Sequence, residues 1–358
     1  MGQTDFLTSR ERVSLATAHQ EADRQPLGHI GKFPIHTVSR LETYLGVVGE
    51  DAIRDQLGFD DREITIFTRV KDPSGFGESR SIWGGVQTVQ GMGAPFSAAS
   101  GHRPLRSADT ASDVEDYPWP KPDEIAIEEL TPERAAYLHP FSVMCTIPPI
   151  FCTLAELMSM EMALMNLLTA PAVVQAAAAR IAQINLELEA RVLDAYAEVL
   201  HRVRLWDDVC DQRGMLFNPE LWRRFFRPHL AKAFGLAKSY GMLVHYHCCG
   251  AMSEIIPDLI DIGMDILEPC QVHLRGMEPG RLKREYGGHI TFWGGINTQQ
   301  TLPYGTPEEV RNEVRERMRV LGRGGGYVLS PDHTFMPDVP PENIVAFCDE
   351  GHQCIPTM

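Results

Sequence analysis

Leu243-Val244-His245-Tyr246-His247-Cys248-Cys249-Gly250 reads as a buried strand running straight into His-Cys-Cys-Gly, with a helix expected over Met252–Ile262. Side chains of an extended chain alternate with a period of two, so His247 and Cys249 fall on one face and can converge on a metal ion. Gly250, lacking a Cβ, permits a sharp exit into the helix. Parallel α/β enzymes build their sites from strands that end in such groups and feed a helix. The competing reading is a structural histidine beside two buried thiols, since unpaired cysteine is among the most buried residue types.

The same unit recurs outward from this stretch. Val203–Trp206 reads as a strand followed by a helix over Pro219–Tyr240, and Met264–Leu267 as a strand followed by a helix over Pro279–Tyr286. Ile290–Trp293 precedes a helix over Thr306–Leu321, and Tyr327–Ser330 precedes one from Pro341 to about Glu350. Upstream, Ser142–Ile147 is a short apolar strand before helices over roughly 151–169 and 171–200. Sustained strand–helix alternation implies an all-parallel sheet. No Gly-x-Gly-x-x-Gly turn follows the first strand, so the expected fold is α/β, a single (β/α)8 TIM barrel with an N-terminal elaboration.

Residues 126–358 are expected to form the barrel core, and 1–125 an extension packed on it within one structural domain. Thr8-Ser9-Arg10-Glu11 has the spacing of a capping box and opens a short helix to about His19. Glu63–Val70 and Ile82–Val89 are β-prone, and Asp116-Tyr117-Pro118-Trp119-Pro120-Lys121-Pro122 is a proline-stiffened connector.

The chain has 358 residues, 44% hydrophobic and 23% charged, which suits a globular protein with a sizeable core. Its net charge of -15 opposes binding to nucleic acid or to an anionic membrane, both of which need a basic face. The most apolar run, Ile147–Leu168, is interrupted by Pro148, Pro149, Glu156 and Glu161, and Met1-Gly2-Gln3-Thr4-Asp5 has no secretory pattern. Eight scattered cysteines make no disulfide framework and suit a reducing cytoplasm, the expected location.

In parallel barrels chemistry gathers at the C-terminal edge of the strands. Successive strand ends here carry Asp207, Asp208 and Gln212; His247 and Cys249; Glu268 and Gln271; Asn297; Asp332 and His333. Each has a structural alternative: Asp208 can cap a turn, Glu268 pair with an arginine, Asn297 cap a helix. Packing accounts poorly for their joint placement. His247, Cys249 and His333 form the best metal set, because mixed N/S donors favour Zn(II) and three protein ligands leave an open position. Glu268 is a fourth ligand or the carboxylate that orients an imidazole. By alternation Cys248 belongs to the barrel wall, and His245 is read as a packed core histidine.

These segments resemble the uroporphyrinogen decarboxylase superfamily, and in particular its corrinoid-linked methyltransferase branch. The resemblance covers roughly residues 200–350, and the N-terminal third less. In the zinc-dependent methyltransferases acting on coenzyme M, a His-x-Cys-Gly sequence supplies two ligands and a later cysteine a third. His247-Cys248-Cys249-Gly250 fits the first part, while His333 falls where that later cysteine would be. Met336-Pro337-Asp338-Val339-Pro340-Pro341-Glu342-Asn343 looks like the superfamily's closing motif. Leu205-Trp206-Asp207-Asp208 through Gln212, and Phe292-Trp293-Gly294-Gly295-Ile296-Asn297, resemble the branch that contains O-demethylases.

The resemblance implies transfer of a methyl group from a small methylated donor, such as a methoxylated compound, to a corrinoid on a partner protein. Zn(II) would serve as Lewis acid, Asp208 or Glu268 as proton donor, and Gln212, Gln271, Asn297 and Asp332 as substrate-binding groups. The chain has no Asp-x-His-x-x-Gly corrinoid-ligating motif, so the corrinoid protein is implied by the resemblance alone. The alternative is porphyrinogen decarboxylation, which needs closely spaced N-terminal arginines. Arg24-Gln25 is present, the second arginine is not, and His333 also falls where the decarboxylase has a histidine. A third reading is a barrel that binds a small ligand without metal or catalysis.

Overall fold

The structure is a computed structural model that describes residues 6–64, 70–71, 78–84, 86–88, 102–127 and 129–354. Seven parallel strands form one curled sheet in chain order. They are β1 (Asp61–Ile64), β2 (Ser142–Ile147), β3 (Arg202–Trp206), β4 (Leu243–His247), β5 (Ile266–Cys270), β6 (Thr291–Ile296) and β7 (Tyr327–Pro331). The central strands are buried on both faces, because helices cover the outside and side chains fill the inside.

The sheet's two edges approach each other through Leu27, which makes a parallel bridge to Leu329. Leu329 N donates to Pro26 O at 3.0 Å, Gly28 N donates to Leu329 O at 2.9 Å, and Asp60 N donates to Leu27 O at 2.8 Å. Gly28 is required here, since a Cβ would lie 2.1 Å from the Trp293 ring. Of the eight strands expected, seven are present among the described residues, with this bridged segment between the first and the last.

The first 125 residues are therefore not wholly outside the sheet, because β1 pairs with β2 from Asp61↔Ser142 to Ile64↔Cys145. The β-prone stretch over 63–70 contributes its beginning to β1 and Val70 to a small antiparallel sheet. The remainder of that run, and parts of 82–89, lie outside the described residues. The helix Ser9–Thr17 carries the expected Thr8/Glu11 capping box. Its Val13 and Ala16 pack with Ile266, Trp293 and Val328 as an apolar floor at the N-terminal end of the strands.

Three helices depart from the expected spans for local reasons. Pro219–Tyr240 is two helices, Pro219–Phe225 and Arg227–Ser239, because Pro228 has no N–H to continue the first ladder. The stretch 151–169 turns by 105° at Ser159, whose φ is 88°. The helix after the His-Cys-Cys-Gly stretch starts at Ile256, with Pro257 in its first turn. Among the described residues, no single helix is long and apolar enough to cross a membrane.

Above the floor the interior is ionic. Arg202 is wholly buried, with Nη1 2.7 Å from His245 Nδ1, Nη2 3.4 Å from Asp61 Oδ2 and its guanidinium 4.1 Å from the Trp293 ring centroid. A buried charge survives only when paired in this way. One turn of alternation higher, Arg204, His247 and Glu268 form the next layer, at the edge where the strands end.

Candidate metal centre at the C-terminal edge

β4 delivers His247 from its last position and Cys249 two residues on, while Asp208 arrives from the loop after β3. One ligand atom from each of Asp208, His247 and Cys249 lies within 4.8 Å of the others. Nε2 of His247 is 3.4 Å from Cys249 Sγ and 3.9 Å from Asp208 Oδ1. Bond lengths near 2.0–2.3 Å put two ligands of one tetrahedral zinc roughly 3.3–3.6 Å apart, so the N/S pair fits such an ion.

Backbone bonds hold the ligands in place. Cys249 N donates to Asp208 Oδ1 at 2.9 Å, and Gly250 N donates to Gln271 Oε1 at 2.7 Å. Gly250 has φ 105°, and a Cβ there would stand 2.4 Å from the carbonyl oxygen of Asp211. Only glycine satisfies both conditions, which is why the ligand loop ends there. Cys248 is buried with its thiol on the wall, 3.5 Å from Cys249 O, as alternation implies.

The other edge of the His247 ring meets Glu268, with Nδ1 2.6 Å from Oε1. Glu268 is fully buried, 2.8 Å from Arg204 Nη2 and 3.0 Å from His245 Nε2. Arg204 Nη2 also lies 2.7 Å from His247 Nδ1, and one ring nitrogen cannot serve both neighbours. The consistent assignment has Nδ1–H and Arg204 both donating to Glu268, which leaves Nε2 with a lone pair for a metal. Burial alone would raise Glu268, yet Arg204, His245 and His247 outweigh it and hold the carboxyl well below its usual range. Glu268 is thus committed to Arg204, His245 and His247 in this arrangement. Burial, then the Asp208 charge, pushes the Cys249 thiol well up, so metal uptake displaces a proton.

Among the described residues the close grouping takes Asp208, and not His333, beside His247 and Cys249. Along β7 the inward positions are Val328, Ser330 and Asp332, so alternation aims Asp332 at the interior and leaves His333 on the following loop. His333 remains a neighbour of His247, and burial is the main cause that lowers its pKa from the ordinary histidine value. Asp332 is fully buried, its Oδ1 accepting from Thr298 N at 3.0 Å and Thr298 Oγ1 at 2.6 Å.

The remaining expected substrate groups are engaged by the protein. Gln271 holds Gly250 as described. Asn297 Oδ1 accepts from Gln299 N at 2.8 Å and Gln300 N at 3.0 Å, a local cap. Gln212 is exposed at the rim and donates to Gln299 Oε1 at 3.0 Å. Asp207 caps the helix Phe151–Met158 through Ile150 N, Phe151 N and Cys152 N at 3.1, 2.7 and 2.8 Å. Sequence reading missed Arg204 and His273, the latter with Nδ1 3.4 Å from Asp332 Oδ2. A charged residue inside the apolar run Val203–Leu205 was the available signal for Arg204. The sequence offers no comparable signal for His273.

A candidate metal cluster thus sits at the C-terminal edge of a curled parallel sheet. Residues 87–354 match the uroporphyrinogen decarboxylase (URO-D) family, and the chain belongs to it. Curated relatives match over short stretches. Uroporphyrinogen decarboxylase of Pseudoalteromonas translucida is 35% identical over 71 residues, 20% of each chain. That of Methylococcus capsulatus is 31% identical over 79 residues, 22% of each chain. The matched segments thus span about a fifth of these relatives. Among solved structures, a methyltransferase from Methanosarcina mazei superposes with a TM-score of 0.65 at 16% identity, covering 97% of this chain and 99% of its own. That likeness is one of fold.

Proposed function

We propose that the protein is a zinc-dependent methyltransferase that moves a methyl group from a small methylated donor to a corrinoid carried by a partner protein. The observation that carries this reading is the Asp208/His247/Cys249 cluster, with Glu268 orienting the imidazole from behind. Mixed N, S and O donors suit Zn(II), and three of them leave a position for a donor atom. A zinc ion bound there supplies Lewis-acid stabilisation of charge developing on the leaving atom. The chain's own part is to fix the ligands, keep Glu268 ionised and shape a mouth that admits donor and acceptor. In this reading the Leu27 segment is the eighth stave of a (β/α)8 barrel, 1–125 pack on and complete the core formed by 126–358, and the unpaired thiols suit the cytoplasm.

The fate of Arg24 opposes porphyrinogen decarboxylation. It is buried with Nη1 2.7 Å from Asp60 Oδ2, just before β1 at the N-terminal edge of the sheet and opposite the candidate site. An arginine used there is not at hand to clamp substrate carboxylates.

The test offers zinc-loaded protein and cob(I)alamin a panel of methyl ethers, methyl sulfides and methylamines, with uroporphyrinogen incubated in parallel. Methyl transfer from at least one donor, and no stepwise loss of porphyrinogen carboxylates, is the expected result. Decarboxylation without transfer would reverse the assignment, and zinc-free protein inert to both would favour a ligand-binding barrel.

A further inference from the structure

Methyl transfer from oxygen leaves a strongly basic atom behind, and the groups around the zinc cluster are poorly placed to protonate it. Glu268 is engaged by Arg204, His245 and the Nδ1 edge of His247. Asp208 is in the ligand cluster and accepts from Cys249 N. His333 sits against His247, on the loop after β7. Asp207 is consumed by three backbone N–H groups.

One pair at the same edge is unaccounted for. Asp332, after β7, is fully buried with Oδ1 tied to Thr298, while Oδ2 has no hydrogen bond. Burying a carboxylate oxygen unbonded is costly unless a donor faces it. The group that faces it is His273, in the loop after β5, with Nδ1 3.4 Å away and a side chain 27% exposed. No described residue hydrogen-bonds to its Nε2. The ring therefore lies between the buried Asp332 carboxyl, which its Nδ1 faces, and solvent, to which the side chain is partly exposed. Imidazole is the side chain best suited to proton transfer near neutrality.

We propose that His273 is the proton donor to the departing oxygen of a methyl-ether substrate, with Asp332 as the residue that positions its ring. The proposal rests on the methyl-transfer reading and narrows the donor to compounds with a poor oxygen leaving group. In the step the methyl carbon–oxygen bond breaks and its electron pair stays on oxygen. That oxygen takes the Nε2 proton of His273, while the methyl group takes the electron pair of the cob(I) acceptor substrate. Solvent then returns a proton to the ring.

The experiment compares wild type, His273→Ala, His273→Gln and Asp332→Asn, zinc-loaded, with cob(I)alamin as acceptor. The donors are methoxybenzene, 4-methoxybenzonitrile (whose phenol is far more acidic) and dimethyl sulfide. Both His273 variants should keep their zinc. They should lose about 10²-fold or more in kcat with methoxybenzene and less than about 10-fold with the nitrile, because a better leaving group needs less proton assistance. Asp332→Asn should show the same pattern at smaller size. Equal losses for both ethers, no loss, or loss of zinc would overturn the role of His273 while leaving methyl transfer intact. Wild-type transfer from the sulfide but neither ether would also remove the proposal alone. Failure of wild type with the whole donor panel would remove both.

Discussion

Glu268 Oε1 sits 2.6 Å from Nδ1 of His247, on the ring edge opposite the nitrogen that approaches Cys249. The contact fixes the tautomer, and so decides which atom of His247 is available as a ligand. It also explains why Arg204 is buried beside the site: it supplies the countercharge for Glu268.

Glu268→Gln should therefore act on metal and fold together. Metal affinity should fall on the order of 10–100-fold, because an amide no longer fixes the ring. Stability should fall by about 3–5 kcal/mol, because Arg204 is left as a buried charge without its partner. Zinc titration and urea unfolding of the same preparation check both.

Asp208 and His333 should separate cleanly. Asp208→Asn should weaken zinc binding by about 10-fold or more, since it removes an anionic ligand from the close cluster. His333→Ala should keep its zinc, because His333 lies outside that cluster. Competition with a chromophoric chelator measures both, and the reverse order would restore His333 as the third ligand.

A pH effect on stability is expected far from the site. Glu189, on the helix Pro171–Tyr196, is fully buried with neither carboxylate oxygen hydrogen-bonded, and burial pushes it up to about 9. The folded protein keeps this proton up to about pH 9, while the unfolded chain releases it near the ordinary glutamate value of 4.5. The folded state then binds more protons across that window, so this group's contribution falls as pH rises. Glu189→Gln should be more stable than wild type, with a gap widening by up to about 4 kcal/mol between about pH 5 and pH 8. Denaturant midpoints across that range test it, and a constant gap would contradict it.

Much of the sheet was legible because β2 to β7 are apolar runs between turn signals, and their spans differ from the reading by only a few residues at the ends. β1 was obscured because Asp61-Arg62-Glu63-Ile64 is mostly charged, and Asp61 faces the interior ion network around Arg202. The Leu27 segment has too few residues to show a period. At the site, alternation groups His247 with Cys249, whose side chains meet at 3.4 Å, and turns Cys248 the other way, since that argument is local. The strand-end reading offers His333, while the close grouping brings in Asp208, because convergence of loops from different strands is a three-dimensional property. His273 was missed for the same reason, since its partner Asp332 is distant in sequence.

The central claim is that Asp208, His247 and Cys249 hold one zinc ion, and elemental analysis of protein purified under reducing conditions without chelators tests it most directly. Wild type and Cys248→Ser should each carry close to one zinc per chain, while Cys249→Ser and His247→Ala should lose most of it and remain folded by circular dichroism. Wild-type protein that contains no zinc, takes none up and still transfers methyl groups would contradict the account.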